Sequence, residues 1–95
     1  MKKLKNGWVE GSVQEFLELP DADMEYIEAK RAWSAQLRVL RQKRHLTQSQ
    51  VAARLATSQP RVAMMEKGDA SVSLDLLVRS LFVLGATRRD LARAL

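Results

Sequence analysis

A chain of 95 residues with 46% hydrophobic content, two Pro and four Gly has room for a single core and suits a mainly helical globule rather than a disordered tail. The absence of cysteine excludes disulfides and thiolate chemistry, and one histidine, His45, makes no metal constellation. The formal net charge of +5 hides a division, because residues 1–35 carry five Lys or Arg against seven Asp or Glu while residues 36–95 carry eleven against four, which is −2 against +7.

The chain begins MKKLKNGWVEG, where Asn-Gly and a second Gly without helical period read as an extended arm or a small turn. Its three Lys are placed to touch phosphate, and Trp8 either anchors a partner or tucks against the chain's own core. No apolar run approaches membrane-spanning length, and the basic start is followed by Asn-Gly rather than an apolar stretch, so the expectation is a cytoplasmic protein, neither spanning nor secreted. Ser12 with Glu15 forms a capping box for a short amphipathic turn carrying Val13, Phe16, Leu17 and Leu19. Pro20 ends it. Asp21 then caps a long helix, with Asp23 and Glu25 in the first turn and an apolar stripe of Tyr26, Ala29, Trp33, Leu37 and Leu40, running to about Lys43.

Between Ser12 and Ala29 stand six acidic residues, Glu15, Glu18, Asp21, Asp23, Glu25 and Glu28, and no basic one. DNA repels such a block, so it faces away from any duplex. Either a basic protein partner or a solvated, capping-rich helix start accounts for it. Trp8, Glu15, Phe16, Glu18 and Glu25 are the candidate partner-binding residues.

The stretch LTQSQVAARLATSQPRVAMMEKG, from Leu46 to Gly68, reads as two short helices joined by a tight turn. Thr47 caps the first and Gln50 completes a capping box, while Leu46 and Val51 are spaced as a hydrophobic staple. Val51, Ala52 and Leu55 supply its buried side. Ser58 is a fresh cap, Pro60 falls in the first turn of the second helix, Val62 and Met65 face inward, and Gly68 stops it. Two helices so linked cross steeply, as in a helix-turn-helix. On the outer face of the second helix Gln59 can pair with adenine, Arg61 with guanine, and Met64 can pack on a thymine methyl. A merely solvated face is the alternative. The local +7 of residues 36–95 suits a phosphate-facing body, or again a soluble surface.

On this motif the segment from Leu37 to Leu84, about half the chain, resembles the XRE/Cro-type helix-turn-helix family related to lambdoid phage repressors. The resemblance implies that Gln48 and Ser58 contact phosphate, that Gln59, Arg61 and Met64 face base edges, and that Arg41 pairs with Glu66 to brace the motif. Lys67 joins the phosphate set by its charge at the end of that face. Two departures stand out: Ala56 replaces the usual turn glycine, and Pro60 occupies a position that often carries a reading side chain. A small XRE protein with an acidic N-terminal extension also looks like HigA-type antitoxins, which bind a basic HigB/RelE-like ribonuclease toxin and repress their own operon.

After Gly68, Ser73 caps an almost wholly apolar helix from Leu74 to Leu84, whose residues Leu77, Leu81 or Phe82 are candidates for a second subunit. Gly85 ends it, and Thr87 with Asp90 opens a last helix carrying Leu91 and Leu95. The expected fold is all-α, a five-helix lambda-repressor-like domain over 34–95, preceded over 1–33 by an arm and an acidic extension of the first long helix. The expected protein is a homodimeric, sequence-specific regulator of double-stranded DNA, with no metal, cofactor or membrane and no enzymatic activity, since triads, glycine-rich phosphate loops and paired buried carboxylates are absent on spacing. A protein-interaction adaptor that uses the motif only as a scaffold is the other reading.

Overall fold

The computed structural model describes residues 20–95, so the short helix read over 12–19 and the readings of Trp8, Glu15, Phe16 and Glu18 lie outside it. The described chain is five α-helices: α1 Pro20–Lys43, α2 Gln48–Arg54, α3 Gln59–Lys67, α4 Leu74–Val83 and α5 Arg88–Ala94. The first is 24 residues, roughly 36 Å at 1.5 Å per residue. It starts at Pro20 rather than after a cap at Asp21, because proline's fixed φ suits the first helical position.

The later starts follow from local chemistry. Thr47 and Thr87 are in extended conformation and each closes a capping box, with Gln50 and Asp90 respectively. Ser58 and Ser73 cap α3 and α4 through their hydroxyls. In the last of these boxes the Asp90 carboxyl is held below its usual range by the backbone and side-chain hydrogen bonds of Thr87.

Four helix ends share one device. His45, Ala56, Gly68 and Gly85 all have positive φ. In each case the next amide reaches five residues back: Leu46 to Arg41, Thr57 to Ala52, Asp69 to Met64 and Ala86 to Leu81, at 2.9 to 3.1 Å. These are Schellman endings, which satisfy the last carbonyls and turn the chain sharply. Gly68 and Gly85 adopt this backbone freely, whereas at His45 (φ 57°) and Ala56 (φ 54°) a Cβ makes it dearer by about 1 kcal/mol each.

The helices close around Leu37, Val51, Val62, Met65, Leu77 and Leu81, all fully buried. The long α1 lies against α3, α4 and α5, and α2 packs on α3. Trp33 and Leu40 flank the core from α1. The indole N–H of Trp33 donates to the Leu91 carbonyl at 2.9 Å, which fastens α5 to α1.

Two expectations are corrected. The inner line of α1 above Trp33 is not Tyr26, which is exposed, but Lys30 and Ser34, both buried. At that height α1 meets backbone rather than side chains. The Lys30 ammonium donates to the Asp69 carbonyl at 2.9 Å, and a Cβ on Gly68 would stand 3.3 Å from Ser34 Oγ, so both residues are fitted to a close main-chain approach. Leu77 and Leu81, offered as subunit contacts, are also fully enclosed by their own core. They share the inward face with Leu84, and Phe82, turned about 100° from Leu81, is the one of the three candidates left exposed.

Candidate nucleic-acid interface

The turn between α2 and α3 carries the left-handed Ala56 and the cap Ser58, and together they set α3 across α2. Val62 and Met65 anchor the inner side of α3 in the core, while Gln59, Pro60, Arg61, Met64 and Lys67 remain exposed. The outer face of α3 is therefore polar and open.

Its three reading candidates do not form one stripe. Gln59 and Arg61, two residues apart, are turned about 200° from each other, while Met64 lies about 60° from Arg61. Gln59 thus stands on the flank nearest α2, Arg61 and Met64 on the opposite flank, with Ala63 and Lys67 between. Met64 is reached from the loop after α3, where the Ser71 hydroxyl lies 3.8 Å from its sulfur. That loop is ordered by Asp69, whose carboxylate takes the hydroxyl and amide of Ser71. These bonds, followed by the charges of Lys30 and Lys67, hold the Asp69 carboxyl below its usual range.

Behind α3 lies a chain of side-chain contacts that joins four of the candidates. Arg41 Nε donates to Glu66 Oε2 at 2.6 Å and Nη2 to Oε1 at 3.0 Å, a bidentate pair whose side chains are only 15% and 5% exposed. Arg41 Nη1 donates in addition to the Leu46 carbonyl at 3.0 Å, pinning the start of the motif. Glu66 Oε1 then accepts from Gln48 Nε2 at 3.1 Å, and Gln48 Oε1 accepts from Gln59 Nε2 at 2.7 Å. The hydrogen bonds with Glu66, helped by its charge, raise the Arg41 guanidinium above its ordinary value against the desolvation that lowers it, so Arg41 is a permanent cation.

Gln48 and Gln59 are consequently prepositioned. Two amide side chains with many rotamers are held in one arrangement at the junction of α2 and α3, which lessens the entropy lost when either meets a ligand. Ser58 stays at the exposed N-terminus of α3 with its hydroxyl accepting the Arg61 amide at 3.4 Å. Lys67 is exposed at the other end. Glu25 is exposed on α1 beside Met24 and near Ile27, themselves 56% and 43% exposed.

Several residues that shape the site were not singled out from the sequence. Lys30 and Ser71 order the loop behind Met64 through partners 39 and 2 residues away, and the first of these is a backbone carbonyl that no composition pattern reveals. Arg38 stands one turn before Arg41 and was hidden among the many basic residues of that stretch.

Among the described residues no group of three or more His, Cys, Asp or Glu is placed to hold a metal ion, and no helix is long and apolar enough to cross a membrane. No curated protein and no solved structure matches the chain. A family model described as a helix-turn-helix domain matches residues 16–88. That match spans both helices of the motif, the long helix that braces them and the start of α5, and with it the chain belongs to the helix-turn-helix domain family.

Proposed function

We propose that the protein is a sequence-specific DNA-binding regulator of XRE type, acting as a homodimeric repressor. The observation that carries this reading is the open polar face of α3, bordered by Gln59 on one side and Arg61 and Met64 on the other. The glutamine pair Gln48–Gln59 behind it fixes its N-terminal end and the buried Arg41–Glu66 ion pair its C-terminal end. A helix exposed along this side fits the major groove, with Gln59, Arg61 and Met64 toward base edges and Gln48, Ser58 and Lys67 toward the sugar-phosphate chains. Two copies on a palindromic operator place their α3 helices one helical turn apart, about 34 Å. The excess of positive charge over residues 36–95 supplies the sequence-independent part of the affinity.

The test is a fluorescence-anisotropy titration of the full chain against duplexes selected from a random pool, at several salt concentrations. Arg61→Ala is expected to weaken the selected duplex by about 1 to 3 kcal/mol and to relax preference at one position in each half-site. Lys67→Ala is expected to weaken every duplex alike and to flatten the salt dependence by about one unit of slope. Unchanged discrimination in the first variant removes the base-reading role of Arg61. No salt-sensitive binding to any duplex favours the adaptor reading instead, in which the motif is only a scaffold.

A narrower function rests on the outer half of α1. There Glu25 and Glu28 are exposed together with Met24 and Ile27. An acidic surface with apolar members suits a basic protein partner, and the antitoxin of a basic ribonuclease toxin fits it. Because Lys30 and Ser34 belong to the core, truncation through them is a poor probe. Glu25→Lys with Glu28→Lys is the better one: it is expected to abolish co-purification with such a toxin while DNA binding persists, and unchanged co-purification counts against the antitoxin reading.

A further inference from the structure

A cleft of about 230 Å³ opens between α1, α2 and α3, lined by Arg38, Arg41, Gln48, Ala63, Glu66 and Lys67. Its charge is lopsided. Three cations stand against the single carboxylate of Glu66, and that carboxylate is already occupied by Arg41 and Gln48. The pair forms a nearly neutral floor, which leaves the exposed Arg38 and Lys67 on opposite walls, one on α1 and one on α3, with no ion-pair partner among the described residues. Between them α3 presents Ala63, whose small side chain leaves the space open.

We propose that this cleft binds a single phosphate group, held between Arg38 and Lys67 above the Arg41–Glu66 pair. The inference rests on the DNA-binding reading for the ligand's source and adds Arg38, which that reading does not use. The geometry favours a phosphate for three reasons. Two cationic side chains on separate helices converge on one small volume, which matches a compact anion better than an extended one. The guanidinium of Arg38 offers a planar fork to two phosphate oxygens, and Lys67 adds a point charge. The remaining N–H of the Gln48 amide, whose oxygen is taken by Gln59, is a neutral donor at the rim. The cleft is lined on α3 by Ala63 and Lys67, which lie between Gln59 and the flank of Arg61 and Met64, so a duplex seated on the reading face carries its backbone past the opening. A phosphodiester of DNA and free inorganic phosphate share this chemistry.

Two measurements on the full chain separate them. The first is duplex binding by the wild type, Arg38→Ala, Lys67→Ala and the double variant as a function of salt. If a backbone phosphate occupies the cleft, Arg38→Ala weakens selected and random duplexes by the same factor, several-fold, and lowers the slope of log affinity against log salt by about one. The double variant then loses little more slope than either single one, since both side chains serve one phosphate. The second is an amide-shift titration with inorganic phosphate at constant ionic strength. Shifts confined to Arg38, Gln48, Ala63 and Lys67, abolished in Arg38→Ala, support the cleft; if they appear while duplex binding is untouched by Arg38→Ala, the occupant is free phosphate. Salt-sensitive duplex binding that Arg38→Ala leaves unaltered, with no localised phosphate shifts, overturns the inference while sparing the DNA-binding reading. A wild type that binds neither duplex nor phosphate overturns both.

Discussion

Glu66→Ala is expected to destabilise the protein by about 3 kcal/mol, toward the lower end of what breaking a buried ion pair costs because Arg41 keeps some contact with water. Glu66 is the meeting point of three helices: it takes two hydrogen bonds from Arg41 on α1 and one from Gln48 on α2, while its own backbone belongs to α3. Removing it leaves the Arg41 guanidinium, whose side chain is only 15% exposed, without its countercharge. Among the described residues the Leu46 carbonyl then becomes its one remaining hydrogen-bond partner. Urea unfolding followed by circular dichroism measures the loss, which should appear as a lower midpoint at an unchanged slope. Arg41→Ala should cost a similar amount, and the double variant less than the sum, since the second substitution removes the charge that the first strands. A Glu66→Ala loss below about 1 kcal/mol would place this pair with ordinary surface ion pairs. The same variant also releases Gln48 and, through it, Gln59, so its DNA affinity per folded molecule should fall even though neither glutamine has been changed.

Apart from the Arg41–Glu66 pair, which the family resemblance implied, the parts of this molecule that were legible in the sequence are those whose causes lie within four residues. Thr47 with Gln50, Ser58 with its amide three residues on, Ser73 likewise and Thr87 with Asp90 announce helix starts because a cap bonds its own first turn. The fold class followed from them and from the helical spacing of Val51 with Leu55 and of Val62 with Met65. Left-handed ends were legible at Gly68 and Gly85, where the residue type permits little else to explain it. At His45 the same backbone is invisible in sequence, because histidine is no breaker and the turn is imposed by the pairing of Leu46 with Arg41. The inner face of α1 was misread for a related reason. Apolar periodicity finds positions that meet side chains, whereas Lys30 and Ser34 meet the main chain at Gly68 and Asp69. The candidate site shows the same boundary. Gln48 and Gln59 each stood out by position, yet their mutual hydrogen bond depends on the angle at which α2 and α3 cross, a property of the assembled core and not of either helix.

Trp33→Ala is expected to lower stability by about 2 to 4 kcal/mol, in the range for deleting a large aromatic side chain from a partly enclosed site. Trp33 packs beside the core and is the described side chain that holds α5 by a hydrogen bond, its indole N–H meeting the Leu91 carbonyl 58 residues away. Helix α5 is only seven residues, too short to persist unsupported, so what fixes it is the seat that α1 provides for Leu91 together with this bond. Trp33→Phe separates the two contributions. It retains most of the apolar area and loses the donor, leaving the Leu91 carbonyl in need of another partner, and should cost about 1 kcal/mol from the bond plus a smaller amount from the lost ring volume. In a domain of this size the alanine variant should melt more than 10 °C below the wild type and the phenylalanine variant by roughly half as much or less. Amide exchange locates the effect: in Trp33→Phe protection should fall over Arg88–Ala94 while α2 and α3 keep theirs, because α5 packs mainly on α1. Uniform loss of protection across all five helices would mean that α5 is not a separable unit and that Trp33 supports the whole core. DNA binding by the folded fraction of Trp33→Phe should equal that of the wild type, since the chain of contacts from Arg41 through Glu66 and Gln48 to Gln59 reaches the outer face of α3 without passing through α5.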